Sequence, residues 1–426
     1  MITARDIRVT AQAPITSYAP AAPLTERILL IVLFVTMLTS SVAFVEPSPH
    51  DLTMGLLAVA CLVGGVRLRR TLALPLILLL AWNLSGLMAL IPVTGEEKTI
   101  QYAGTSIYLA IAAILFACIF ADNTMPRLAA MRFAYTLSAI LAALAGISGY
   151  FHLFPGAEQL FAPTGRALGG FKDPNVFGPY LIWPVLFVIH RMLTRRLGLG
   201  DIVVAATLLF ALLLSFSRGA WFHFAVSNVA LVSIAFLSAP GARIRLRIFS
   251  LTVASIVALA VLVTLLLSVD SIGDMFHERA QLIQSYDVGE GGRFRLQELA
   301  LSSVLNFPNG MGPFEFARVH GLQQHNVYLQ AFLVYGWTGA MAYFLLLLST
   351  LWVGFRCALV ATPWRPYVVT ALAAFVGEVA EGFVIDTDHW RHFFLLLGMI
   401  WGLAAATFRP AFNARATVRA AADPSP

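Results

Sequence analysis

Twelve apolar runs, most about 20 residues long, recur along this chain of 426 residues, and a run of that length crosses a hydrocarbon core of about 30 Å as a helix. They occupy 27–45, 52–66, 72–91, 100–121, 127–150, 174–193, 201–216, 219–238, 247–268, 326–353, 366–386 and 391–408, the second and seventh being short. Lipid offers backbone N–H and C=O groups no water, so long apolar runs must satisfy them internally as helices. Only 12% of the residues are charged, against about 25% in a soluble domain. The spacing therefore predicts an all-α polytopic membrane protein with about twelve transmembrane helices. Cys61, Cys118 and Cys357 lie in or beside apolar runs at no metal-ligand spacing and read as small apolar filler.

Basic residues set the orientation. With the N-terminus in the cytoplasm and loops assigned alternately, nineteen Lys and Arg fall on the inner side and nine on the outer. This is N-in, C-in topology. It also accounts for the net charge of +6 without a nucleic-acid partner. Residues 1–26, with several Pro and Ala, and 409–426 read as disordered cytoplasmic tails around a membrane domain at 27–408. The first apolar run is long enough to remain as a span, so no cleavable signal peptide is expected.

Residues 269–325 form one long polar loop between apolar runs, and loops longer than about 15 residues are usually functional or disordered. The topology places it outside, where carboxylates dominate and the few arginines have no role in orientation. Four outer segments carry chemistry. Gly169–Gly178 contains Lys172, Asp173, Pro174 and Asn175; it reads as a capped helix start, and equally as an anion site strengthened by the lysine. Ser217-Arg218-Gly219-Ala220-Trp221 is a tight turn whose arginine is either a functional cation or an anchor beside tryptophan. Gly291-Gly292-Arg293-Phe294-Arg295 places two guanidinium forks beside glycines, suited to pyrophosphate or to a surface helix over 294–305. His325-Asn326-Val327-Tyr328-Leu329 stands at the outer entry of the tenth run, where a general base for an outside hydroxyl belongs. Gly336 and Gly339 would permit close helix contact there. Finally, Glu378 and Glu381 share one face of the eleventh run, followed by Asp386, Asp388, His389 and Arg391. Carboxylates inside a span rarely face lipid, so they are expected to face the bundle and pair with an arginine such as Arg218.

Together these segments resemble the O-antigen ligase and polysaccharide polymerase family of bacterial membrane glycosyltransferases, the Wzy-like group. The marks are Phe171-Lys172-Asp173-Pro174-Asn175-Val176-Phe177-Gly178, Ser217–Trp221, Gly292-Arg293 and His325–Leu329. The family's Arg-x3-Leu and His-x10-Gly patterns fit Arg295 to Leu299 and His325 to Gly336. The resemblance implies an inner-membrane enzyme whose periplasmic site takes an undecaprenyl-pyrophosphate-linked glycan as donor and a glycan or lipid hydroxyl as acceptor. It implies catalytic roles for His325, Arg218 and one of Arg293 and Arg295, the Gly-Arg pattern selecting the first and Arg-x3-Leu the second. Lys172, Asp173, Asn175, Asn326 and Tyr328 would assist donor binding, with Glu378, Glu381, Asp386, Asp388 and Arg391 in support.

Pyrophosphate is already a good leaving group, so such a site needs cations around the departing charge and a base near the hydroxyl. No metal site and no cofactor is expected; Asp386-Thr387-Asp388 is the nearest metal candidate. The leading expectation is a polymerase joining lipid-linked repeat units, with membrane lipids and a chain-length regulator as partners. A ligase to lipid A core shares the donor chemistry. A lipid-linked sugar transporter or flippase would instead line many spans with polar groups at mid-depth.

Overall fold

A computed structural model describes residues 23–195, 198–239, 241–268, 276 and 292–422. Every apolar run contains a helix, and no strand occurs among the described residues. The order is α1 (Leu24–Leu38), α2 (Pro49–Val63), α3 (Ala73–Leu90), α4 (Glu97–Ala121), α5 (Thr124–Tyr150), the short α6 (Ala157–Phe161), α7 (Pro174–Thr194), α8 (Leu199–Leu214), α9 (Arg218–Leu237) and α10 (Ala242–Leu266). Then follow α11 (Arg293–Asn306), α12 (Glu315–His320), α13 (Val327–Ala358), α14 (Arg365–Glu381) and α15 (Arg391–Ala422).

Among the described residues nine helices are long and apolar enough to cross a membrane, fewer than the twelve expected. The second, seventh and eleventh runs become α2, α8 and α14, of 15, 16 and 17 residues. At 1.5 Å per residue these reach about 22–26 Å, short of a core of about 30 Å. The eleventh run stops at Glu381 because Gly382 turns its carbonyl to the N–H of Val327, 2.9 Å away. The expected tail at 409–426 is helical as far as Ala422, where α15 ends. Of the polar segment 269–325, residues 269–275 and 277–291 lie outside the described residues, and from 292 onward it folds into α11 and α12.

The helices pack in pairs: α4 along α15, α3 along α13, α9 along α14 and α1 along α5. One apolar core runs through the bundle, with α7, α14 and α15 buried on most of their faces. At the end expected to be cytoplasmic, Asp122 takes both Arg69 (2.5 Å) and Arg409 (3.0 Å), and Arg127 takes Glu26 at 2.7 Å. Ion pairing thus settles part of the basic charge there.

Helix α13 is interrupted. Gly336 has φ 66° and ψ −179°, in the left-handed region that side chains rarely adopt. The break frees backbone groups, and residues 308–312 fill them. The Leu333 carbonyl accepts from the N–H groups of Met311 (2.6 Å) and Gly312 (3.2 Å), and the Trp337 N–H donates to the Pro308 carbonyl at 2.8 Å. The Trp337 indole donates to Val304 of α11 at 2.9 Å. A Cβ on Gly336 would stand 2.7 Å from the Asn309 carbonyl carbon. Beyond the break, Trp337, Met341, Leu345, Leu348 and Trp352 form one exposed apolar stripe, the spacing of a lipid-facing helix side. Before it, Val327, Ala331, Leu333, Val334 and Tyr335 are buried. The break divides a membrane-crossing half from a half wrapped by protein.

Gly336→Ala is expected to lower the thermal midpoint in detergent, because the strained backbone alone costs about 1–3 kcal/mol and the 308–312 segment must also shift. Gly104→Ala, where nothing lies within 4 Å of the added methyl, should change it little. Equal midpoints for the two variants would contradict the docked break.

Candidate active site

His325 immediately precedes α13, with its backbone in the left-handed region at φ 47°. The next residue locks this geometry. The Asn326 side-chain oxygen accepts from the N–H groups of Tyr328 (3.0 Å) and Leu329 (3.1 Å), capping α13, while its amide donates to the Phe383 carbonyl at 3.1 Å. Tyr328 is buried, and its hydroxyl donates to the Val379 carbonyl. Two of the residues expected to assist donor binding are thus engaged in tying the start of α13 to the end of α14 and to the loop 382–390. That loop supplies Asp386, whose Oδ2 lies 3.6 Å from His325 Nδ1. The histidine side chain is 45% exposed and the aspartate 21%, so the ring meets solvent while its partner is set back in the protein. Asp386 lies outside the spans; burial pushes its carboxyl above the usual range, and the neighbouring His325 pulls the other way.

Asp388 serves another purpose. It is buried and accepts from Tyr102 at 2.6 Å, with Tyr335 at 3.4 Å and His389 Nδ1 at 3.2 Å. Burial works against its charge, but His389 and the tyrosine hydroxyl outweigh this and hold its carboxyl below the usual range. The two carboxylates of Asp386-Thr387-Asp388 therefore face different partners. Among the described residues no group of three or more His, Cys, Asp or Glu is arranged to hold a metal ion.

The second part of the site is the turn between α8 and α9. Ser217 caps α9, accepting from the Ala220 N–H at 3.2 Å, which makes Arg218 the first residue of the helix. Asp173 caps α7 in the same way, accepting from Asn175 at 2.8 Å. Arg166 joins the two starts: its Nε donates to the Ser215 carbonyl at 2.9 Å and its Nη2 to Asn175 Oδ1 at 3.0 Å. Since α7 packs on α9, two helix N-termini lie side by side, each a partial positive charge facing the same end. Phe276 stacks on Trp221 with ring centroids 5.3 Å apart, which sets that one residue beside the turn. Lys172 sits apart from these contacts, paired with Glu46 on the surface.

Glu378 and Glu381 face the bundle as expected, but the partners the structure shows are histidines. Glu381 Oε2 lies 2.8 Å from His223 Nδ1, and Glu378 Oε1 lies 3.4 Å from His392 Nε2. Both carboxylates are fully buried. Arg391 takes Asp51 at 2.8 Å, and Asp51 also closes the N-terminal capping box of α2 with Ser48; this arginine fastens α15 to α2.

The two candidate arginines of α11 differ in setting. Arg295 is half exposed and paired with Glu298 at 2.6 Å. Arg293 occupies the first helical position, one turn before Gln297, whose amide lies 3.5 Å from the carbonyls of both His325 and Phe383. Leu296, Ala300 and Val304 pack with Leu333 and Phe316, so α11 rests on α13 rather than standing alone as a surface helix. Sequence reasoning missed His223, His392, Gln297 and the bridging role of Arg166. For His223 a signal existed: it stands four residues after Gly219 on α9, the spacing of one helix face.

Residues 203–344 match the model of the O-antigen ligase family. The resemblance drawn from short motifs is thereby borne out over about a third of the chain, a stretch holding Arg218, Arg293, Arg295, His325 and the break at Gly336. No curated protein matches the chain. A multi-pass helical membrane protein with a segment similar to the O-antigen ligase family is the class that fold and match define together.

Arg166→Ala should reduce activity about tenfold or more, the value of a lost hydrogen bond from a charged donor. Arg318→Ala should change it little, because Arg318 pairs with Glu315 at a largely exposed position. Equal effects of the two substitutions on kcat/KM would remove Arg166 from the site.

Proposed function

We propose that this protein transfers a glycan from a polyprenyl-pyrophosphate carrier to an acceptor hydroxyl on the periplasmic face of the bacterial inner membrane. The supporting observation is the gathering, at one end of the bundle, of the His325–Asp386 pair and the Arg218 turn, with His325 and Arg218 both inside the segment that matches the O-antigen ligase family. His325 takes the proton of the acceptor hydroxyl, whose oxygen attacks the anomeric carbon of the donor sugar. The bond from that carbon to the pyrophosphate oxygen breaks, and its electrons leave on the lipid pyrophosphate. Arg218, with the paired N-termini of α7 and α9, receives this charge. Asp386 orients the imidazole and balances the proton it gains.

Arg293 is the second donor cation in this reading, and Arg295 is not. The support is positional: Arg293 begins α11 one turn before the Gln297 contact to His325, whereas Arg295 is held by Glu298. The favoured acceptor is a second lipid-linked repeat unit, as in a polysaccharide polymerase, and the product then is a longer glycan on its carrier. The description of the matched family favours a ligase, whose product is glycan on lipid A core. The nine outer cations against nineteen inner ones support an outward-facing site. The buried ionisable groups Glu378, Glu381, His223 and His392 lie within two turns of the helix ends at the site. That clustering of ionisable groups toward one end, rather than at mid-depth, weighs against a transporter.

In a transfer assay with a lipid-linked donor, His325→Ala and Arg218→Ala should abolish product at normal protein levels. Arg218→Lys should lose most activity, because an ammonium cannot reproduce the bidentate fork. Arg293→Ala should be severe and Arg295→Ala mild. Wild-type transfer by His325→Ala would end this reading of the base, and equal effects at 293 and 295 would end the assignment between them.

A further inference from the structure

The buried pair Glu381 and His223 has a proton count that geometry alone sets. His223 Nε2 lies 3.0 Å from the Ala374 carbonyl; a carbonyl only accepts, so Nε2 carries a hydrogen. Its Nδ1 lies 2.8 Å from Glu381 Oε2. A neutral ring with its hydrogen on Nε2 presents Nδ1 as an acceptor, and a carboxylate oxygen is an acceptor too. Two buried acceptors at hydrogen-bond distance require a proton between them. The pair therefore holds one proton beyond Nε2–H, whether as imidazolium with carboxylate or as imidazole with carboxylic acid. Its net charge is zero in either form, which allows full burial of both side chains.

The position of this pair is as informative as its protonation. Glu381 Oε1 rests against Gly219, where an added Cβ would meet it at 2.7 Å. Glycine in Ser217-Arg218-Gly219 thus opens the first turn of α9 to the carboxyl group. His223, four residues on, holds the other oxygen. Glu381 is also the last residue of α14, and the residues directly after it hold the base. The Gly382 carbonyl accepts from Val327, and the Phe383 carbonyl accepts from Asn326. One side chain joins the turn bearing Arg218 to the loop bearing Asp386.

We propose that the proton-sharing pair Glu381–His223 is a positioning device that holds the Arg218 turn in register with the His325–Asp386 loop. This rests on the glycan-transfer reading above. Neither residue touches substrate; their effect passes through the α9 turn.

The test is steady-state kinetics of purified full-length variants with the lipid-linked donor, each checked for folding by size exclusion in detergent. Glu381→Ala and His223→Ala should raise KM for the donor about tenfold or more, as expected for a lost hydrogen bond involving a charged group. Mere loss of folded enzyme would lower apparent kcat and leave KM unchanged. Glu381→Gln should restore KM to within about threefold of wild type, because its amide N–H donates to Nδ1 of a neutral ring and rebuilds the bridge. Glu381→Met keeps the length without the bond and should behave like Glu381→Ala; if the alanine variant is not recovered folded, the Gln and Met variants decide. A wild-type KM in Glu381→Ala or Glu381→Met would overturn the proposal, as would a Gln variant no better than Met. Arg218→Ala and His325→Ala, measured alongside, separate the failures. Their inactivity with a normal Glu381→Met sinks the positioning role alone, and full activity in them sinks the transfer reading and this inference together.

Discussion

Backbone groups left open inside a membrane protein must find partners from the protein itself, and the break in α13 makes that demand at the centre of this structure. The carbonyl of Leu333 and the N–H of Trp337 are supplied by residues 308–312. That docking fixes the end of the long polar segment against the first half of α13. With the segment fixed, α11 settles on Leu333 and Phe316, and the amide of Gln297 comes close to the carbonyl of His325. The geometry at His325 depends on a helix that is broken further along the chain, at Gly336.

The electrostatic arrangement at this end of the bundle follows from burial. A carboxylate out of water needs a charge, a donor or a proton, and several acids here have distinct partners. Asp388 takes a tyrosine hydroxyl and His389, Asp51 takes Arg391, and Glu381 takes His223. Asp386 alone among them turns to a half-exposed histidine. Helices α7 and α9 both begin beside this cluster, joined by Arg166. Acids set back in the protein and helix N-termini at the surface together make a place where an anion is favoured beside the half-exposed His325.

Apolar length made most helices legible, because lipid forces long runs into helical form. It did not mark where α14 ends: Gly382-Phe383-Val384-Ile385 continues the apolar run, whereas in the fold the carbonyls of Gly382 and Phe383 turn to Val327 and Asn326. The outer motifs were legible as polar clusters at span ends. Their partners were not, since His223 meets Glu381 across 158 residues of sequence and spacing carries no such information. Gly336 read as a position for close contact, and it has one, against Pro308 and Asn309; its left-handed backbone was not legible. Arg293 and Arg295 fit two patterns equally well in sequence; the fold adds that Arg293 begins α11 one turn before Gln297 and that Arg295 is paired with Glu298. Arg166 matched no motif, and only the fold brings it between Ser215 and Asn175.

The central claim is that this end of the bundle breaks a sugar–pyrophosphate bond and makes a glycosidic one. Mass spectrometry of products from wild-type protein in proteoliposomes, supplied with one polyprenyl-pyrophosphate-linked glycan, measures this directly. The account predicts one free polyprenyl pyrophosphate released for each new glycosidic bond, with glycan lengthening on the remaining carrier. Donor recovered intact, moved between leaflets with no bond cleaved, would contradict it.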